Sequence, residues 1–225
     1  MRRSGDPGRA IAAKAYLHSD LTFFGVGTEV TRRHTREMDL RHGAWSREEL
    51  RDAVRSAWST STHELRAAAI ELLVRHRDLL SARDVPFLER LLRTSHTWAY
   101  VDELAVHVVG PLLERTSGRD EILARWARDP DFWIRRSSLL ALLGSLRRTP
   151  DRFDQFARLA APMLREKEFF IRKVIGWILR EVGKRWPALT YRFLSDHRGT
   201  VSGLTLREGA KYLPAPLRSR LGLTR

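Results

Sequence analysis

The sequence predicts an all-α protein, and three observations carry that prediction. Apolar residues recur at helical spacing along nearly the whole chain, as in LRAAAIELLVRH (65–76) and IRKVIGWILREVGK (171–184). Helix-start signals recur at short intervals. No window alternates with period two for long enough to make a convincing strand.

Taken in order, residues 1–8 (MRRSGDPG) read as a flexible arm, and 9–225 as one domain. A helix over 9–18 leads into an irregular apolar connector, SDLTFFGVG at 19–27, which ends in glycines. Helices over 28–41 and 46–58 follow, the second opened by Ser46 with Glu49 three residues on, a capping box. Ser61 and Glu64 repeat that signature before the helix from Leu65. Further helices are expected over 84–93, 97–115, 119–128, 131–147, 151–165, 168–186, 188–197 and 203–213. Thr97 suits an N-cap. Pro130 and Pro150, after Asp129 and Thr149, stand where first-turn prolines belong.

Composition narrows the function classes. Of 225 residues 43% are hydrophobic, enough for a substantial core. Lys and Arg number 41 against 27 Asp and Glu, a net charge of +14 with a pI near 11.2. Such a balance suits a polyanionic partner, nucleic acid before an anionic membrane surface, although a generally basic proteome would produce it too. The absence of cysteine excludes disulfides, thiolate zinc sites and iron–sulfur clusters. No apolar run approaches about 18 residues and no signal-type segment opens the chain, so a cytoplasmic, nucleoid-associated protein with no membrane contact is expected.

The helices also repeat. Leu65-Arg66, Tyr100-Val101, Ile134-Arg135, Ile171-Arg172 and Leu206-Arg207 take like positions at spacings of 34 to 37 residues, each interval holding one further helix. A helix pair at that period marks an α-solenoid of HEAT-like repeats. About six pairs fit the chain, curved, with a basic concave face. If the repeats superpose, Asp102, Arg136 and Lys173 fall in one row, and Trp177 lies one turn beyond Lys173. Trp98 stands four residues before Asp102 and so shares its helical face. Taken alone, Trp98 could simply pack while Asp102 pairs with an arginine of the next helix. Within a cationic row, an aromatic plane beside a carboxylate suits something flat and positively charged. Cations in such a row anchor phosphates and aromatics meet bases or sugars. By contrast Trp45, Trp58, Trp126, Phe132, Trp133, Phe169 and Phe170 are expected in the core.

These stretches bear a resemblance. KAYLHSDLTFFGV (14–26), TWAYVDELA (97–105), DPDFWIRRSSLLALL (129–143), EKEFFIRKVIGWILREVGK (166–184) and SGLTLREGAKYLP (202–214) are similar to the AlkD-like DNA alkylation repair proteins, alkylpurine DNA glycosylases built from HEAT-like repeats. The region 40–95 matches least. The resemblance implies that Asp102 is the catalytic carboxylate with Trp98 beside it. It implies that Arg136 grips DNA, and that Trp177 is the tryptophan of the I-G-W block. Lys173, Arg135 and Arg172 are further candidates for the DNA-binding face, and Tyr16 either supports the site or is a core tyrosine. The implied activity is a monofunctional glycosylase acting as a monomer on double-stranded DNA. It would release N3- or N7-alkylated purines, 3-methyladenine and 7-methylguanine among them, without a cofactor and without base flipping.

The chemistry suits the residues. An N3- or N7-alkylated purine is already cationic, so it departs as a neutral base while an oxocarbenium ion develops on the sugar. One carboxylate then suffices where many glycoside hydrolases need two. Other chemistries find little support. The eight histidines show no metal-ligand spacing, Gly25-Val26-Gly27 lacks the third glycine of a dinucleotide loop, and Gly176 to Lys184 has the wrong spacing for a P-loop. The competing class is a non-catalytic HEAT-repeat scaffold that binds DNA or an acidic protein, which has no need of the Trp98/Asp102 pair.

Overall fold

The computed structural model describes residues 2–223, and all regular structure among them is helical apart from an isolated bridge between Thr22 and Thr62. The chain divides into two compact units, Met1–Thr116 and Ser117–Arg225.

The first unit holds α1 (Pro7–Leu17), α2 (Thr28–His42), α3 (Arg47–Trp58), α4 (His63–Arg75), α5 (Val85–Arg93), α6 (Trp98–Leu104) and α7 (Gly110–Glu114). Leu50 and Val54 of α3, Leu73 of α4, Leu88 and Leu92 of α5 and Leu104 of α6 are fully buried. Each such side chain contributes about 1.5–3 kcal/mol by leaving water. The expected capping box at Ser46 and Glu49 forms, with both reciprocal bonds present. The one expected at Ser61 and Glu64 does not. The N-cap is Thr62, so Glu64 lies one residue too early to reach back to it. Its carboxylate instead accepts the backbone N–H groups of Phe24, at 3.0 Å, Gly25, at 2.8 Å, and Val26, at 3.1 Å. One buried side chain thereby supplies the hydrogen bonds that the irregular connector cannot make within itself.

That connector also crosses the start of the chain. Gly25 has φ +75°, and a Cβ there would stand 1.9 Å from the Asp6 carbonyl, so only glycine fits. Asp6 caps α1 by accepting the Arg9 N–H, Arg2–Ser4 forms a short 3₁₀ turn, and Pro7 already belongs to the helix. Two buried acids pin the outer helices. Asp39 accepts bonds from Trp45 Nε1 and Arg75 Nε and meets His76 Nε2, all between 2.6 and 2.7 Å. Asp84, fully buried, takes a bidentate pair from Arg47.

The single helix expected over 97–115 is in fact three segments. α6 ends at Leu104, Ala105–Val109 has π geometry, and α7 begins at Gly110. Pro111 is the physical reason. It has no N–H to give to the carbonyl one turn back, and a widened turn before it accommodates the lost bond.

The second unit holds α8 (Arg119–Trp126), α9 (Phe132–Leu140), α10 (Leu143–Arg148), α11 (Phe153–Met163), α12 (Phe169–Gly183), α13 (Pro187–Asp196), α14 (Gly203–Gly209) and α15 (Ala215–Arg220). Pro130 and Pro150 precede their helices rather than opening them, because Asp131 and Arg152 take the cap positions. α12 packs closely on α14. A Cβ on Gly176 would meet Glu208 Cβ at 2.7 Å, and Thr205 Oγ1 donates to the Arg172 carbonyl.

The sequence repeat is visible as a repeated detail. N-caps fall at Thr62, Thr97, Asp131, Glu168 and Ser202, each three residues before one of the anchors named above except for Ser202, which stands four before. Arg66, Arg135 and Arg172 each donate to the carbonyl six residues earlier, those of Thr60, Asp129 and Glu166. The arginine bridges the bend leading into its own helix and satisfies a carbonyl that helix geometry leaves unpaired.

Candidate functional site

The candidate residues fall in both units. Tyr16, Trp98 and Asp102 belong to the first, and Arg135, Arg136, Arg172, Lys173 and Trp177 to the second.

In the first unit, Thr97 caps α6 with its hydroxyl toward the Ala99 N–H, as expected. Trp98 and Asp102 are consecutive rungs of one face of α6, both half-buried. Tyr16 projects from the exposed side of α1 and meets Trp98 edge to face, ring centroids 5.9 Å apart. The alternative of a core tyrosine is excluded, since Tyr16 is 70% exposed. Behind Trp98 the next residue inward, Tyr100, is 2% exposed, and its phenol meets His63 Nδ1 at 2.6 Å. Burial pushes the Tyr100 phenol far above its usual range and holds the His63 imidazole below its own, with the Glu64 charge only partly opposing the second effect. His63 in turn stacks on Phe23 at 4.3 Å. The Tyr100–His63–Phe23 stack anchors the first turn of α6, on which Trp98 stands.

A cleft of about 260 Å³ opens beside this stack, lined by Trp98, Tyr100, His63, Glu64, Glu71 and Glu103 among others. Arg32 also lines it, within 3.4 Å of Glu71 and 3.7 Å of Glu103. A second recess of about 270 Å³ adjoins it beneath α1 and shares Trp98, His63 and Glu64. The sequence reading missed His63, Glu64, Arg32 and Glu71. The available signal was a glutamate in the first turn of α4, which serves the glycine-ended connector rather than a capping box.

In the second unit α9 and α12 pack together and carry the cationic candidates. Arg136 is only 3% exposed and donates to the Phe170 carbonyl at 2.6 Å, its guanidinium 6.0 Å from the Phe170 ring. Arg135 makes a two-point ion pair with Glu166 in addition to its loop bonds. Lys173 is more open, its side chain 42% exposed, and its ammonium lies 2.9 Å from Glu208. Glu208 also binds Arg180. Burial acts to raise the Glu208 pKa, but the Lys173 bond and the charges of Arg180, Lys173 and Lys211 outweigh it and hold the carboxyl below its usual range. Trp177 is half-buried, one turn beyond Lys173 on α12.

Of the aromatics expected in the core, Trp58, Trp126 and Trp133 are buried, and Trp45, Phe132 and Phe170 are partly so. Phe169 is not. It is the first residue of α12 and 54% exposed, touching Phe170 edge-on, because the turn that would cover it lies outside the helix. Among the described residues no group of three or more acids and histidines could hold a metal ion. No helix among them is long and apolar enough to cross a membrane.

An all-helical repeat architecture, with an aromatic–carboxylate pair on one helix and cations on others, defines the class. Residues 1–213 match the family described as DNA alkylation repair enzyme, and the chain belongs to that family. Three solved structures share the fold. A predicted DNA alkylation repair enzyme from Enterococcus faecalis is similar at 23% identity and TM-score 0.85, over 94% of this chain and 98% of that one. AlkD2 from Streptococcus mutans aligns at 15% identity and TM-score 0.65, over 84% and 92%. The protein smu.31 from Streptococcus mutans UA159 aligns at 14% identity and TM-score 0.61, over 83% and 99%. Comparison with curated proteins gives no match.

Proposed function

We propose that this member of the DNA alkylation repair family is a monofunctional glycosylase that hydrolyses the N-glycosidic bond of cationic N3- and N7-alkylpurines in duplex DNA. The observation that carries the reading is the pair on α6. Trp98 and Asp102 stand one turn apart, half-buried, with Tyr16 edge-on to the indole.

The roles follow from charge. As the glycosidic bond breaks, positive charge moves from the base to the sugar. A carboxylate about 4 Å away, at an effective dielectric near 20, stabilises that charge by roughly 4 kcal/mol, about a thousandfold in rate. Asp102 does this and orients the attacking water. Trp98 lies against the deoxyribose and the charged base. Lys173, Arg172 and Arg135 bind the phosphate backbone, Lys173 foremost because its side chain is 42% exposed against 18% for Arg135, while Arg136, 3% exposed and bonded to the Phe170 carbonyl, serves the packing of α9 on α12. No residue here has to protonate a leaving group, because the lesion carries its own activation.

The test is incubation of the protein with methylated duplex DNA and identification of the released bases. Release of 3-methyladenine or 7-methylguanine, with the backbone left intact, is the expected result. DNA binding without any release would leave only the non-catalytic reading.

A further inference from the structure

The second unit holds a carboxylate where its cations would otherwise meet phosphate. Glu208 of α14 accepts from Lys173 Nζ on one oxygen, at 2.9 Å, and from Arg180 on the other. One negative charge spread over two oxygens, each facing a cation, reproduces what the non-bridging oxygens of a phosphodiester offer to such a pair. The Glu208 side chain is only 13% exposed, and burial acts to raise its pKa. The Lys173 bond and the charges of Arg180, Lys173 and Lys211 outweigh that effect, so the carboxyl is ionised at neutrality.

Of the two partners the carboxylate is the fixed one and the lysine the movable one. A Cβ on Gly176 would meet Glu208 Cβ at 2.7 Å and Cγ at 3.0 Å, so the stem of Glu208 lies against the backbone of α12. Thr205, three residues earlier on α14, ties that helix to the Arg172 carbonyl. Lys173 has a flexible four-carbon stem, a side chain 42% exposed and three donors, one of which Glu208 takes. A phosphate arriving at Lys173 therefore meets a carboxylate that cannot withdraw, and must share the ammonium with it or draw the ammonium away. Arg135 also pairs with a glutamate, Glu166, but two loop carbonyls hold its guanidinium as well, so the same exchange is not open to it.

We propose, on the reading of the α12 face as DNA-binding, that Glu208 is an internal competitor for the phosphate backbone and holds down affinity for undamaged duplex. It is a specificity-setting residue rather than a catalytic one.

The test is Glu208→Gln, which keeps the stem packed on Gly176 and removes the charge. On a short undamaged duplex at low salt, followed by fluorescence anisotropy, affinity should rise about three- to fivefold, the upper end for a partly exposed ion pair, chiefly through slower dissociation. The log–log salt slope should steepen by about 0.9, one further phosphate. Lys173→Ala should lose more affinity in the Glu208→Gln background than in wild type, a coupling that a merely structural Glu208 would not produce. If Glu208→Gln lowers the thermal midpoint, Glu208→Asp, with its charge drawn back by one methylene, should move affinity the same way by a smaller step. Weaker binding by Glu208→Gln would overturn the proposal and make Glu208 a residue that positions Lys173 for phosphate. Inorganic polyphosphate, titrated alongside the duplex, separates this inference from the reading beneath it. The competitor stands where the variant gains on either polyanion and falls where it gains on neither. The DNA reading is judged apart from that, by whether wild type binds duplex at all.

Discussion

Asp102 is the residue on which the proposed chemistry turns. Asp102→Asn keeps the shape of the side chain and removes the charge that favours an oxocarbenium ion. Excision in single turnovers should fall by roughly two to four orders of magnitude, the size of a preorganised electrostatic interaction. Affinity for undamaged duplex should hold or rise, since an anion has been removed. Normal excision by this variant would show that the role belongs elsewhere. His63 offers a second test at this scale. Its folded pKa lies below the ordinary value of 6.5, because burial penalises the charged ring. Between those two values the unfolded chain binds the proton and the folded one does not. The contribution is therefore complete above about pH 6.5 and is lost as pH falls through the folded value. Denaturation series at several pH values should show stability rising with pH in that window more steeply for wild type than for His63→Asn. Parallel profiles would remove His63 from the account.

At the scale of elements, two contacts are decisive. Glu64 fastens the connector that joins α1 to α2 by accepting three backbone N–H groups. In Glu64→Gln an amide NH₂ must face one of those donors whichever way it turns. The loss should be about 2–4 kcal/mol, since bonds to a charged acceptor are among the stronger ones and buried donors are left unpaired. A urea midpoint close to wild type would show that the connector finds other partners. Gly176 governs how α12 meets α14. Its would-be Cβ lies 2.7 Å from Glu208 Cβ, an atom fixed by its own backbone, so Gly176→Ala must push the helices apart at about 1–3 kcal/mol. Much of this element level was open to the sequence. The capping box at Ser46, the cap at Thr97 and the 34-to-37-residue rhythm are local matters of spacing, and they fold as read. The break at Ala105–Val109 was not anticipated, although Pro111 was there to see, because apolar periodicity continues straight through it.

At the scale of the whole molecule, the basic balance makes a claim about partners. If phosphate contacts dominate, log affinity for duplex should fall linearly with log salt, at a slope of about −0.9 for each phosphate neutralised. A fluorescence anisotropy series would show it, and salt-independent affinity would end the DNA reading. Lys173→Ala is expected to flatten the slope. Arg135→Ala is expected to act more through stability, because Arg135 closes a bend and pairs with Glu166. Substrate charge tests the mechanism as a whole. Cationic 3-methyladenine and 7-methylguanine should be released, whereas hypoxanthine, uracil and 1,N6-ethenoadenine should stay in place. Efficient release of hypoxanthine would demand a proton donor that this mechanism does not contain.

Helical class, repeat period and the sharing of one face by Trp98 and Asp102 follow from the sequence alone, the first and last because they depend only on residues within a few turns of one another and the period because like positions recur along the chain. The tertiary structure decided what those residues are engaged in. Arg136 and Lys173 look alike as cations in a row, yet one is covered by Phe170 and the other is held at the surface by Glu208. Phe169 reads as core and is exposed, and Glu64 reads as a cap and is the tie for a loop 38 to 40 residues away in the chain. The cleft beside Trp98 is the clearest case. Its carboxylates come from α4 and α6 and its cation from α2, and nothing in their separate sequences marks them as neighbours. Spacing along a chain specifies which face of a helix a residue occupies, but what that face meets is set by long-range packing.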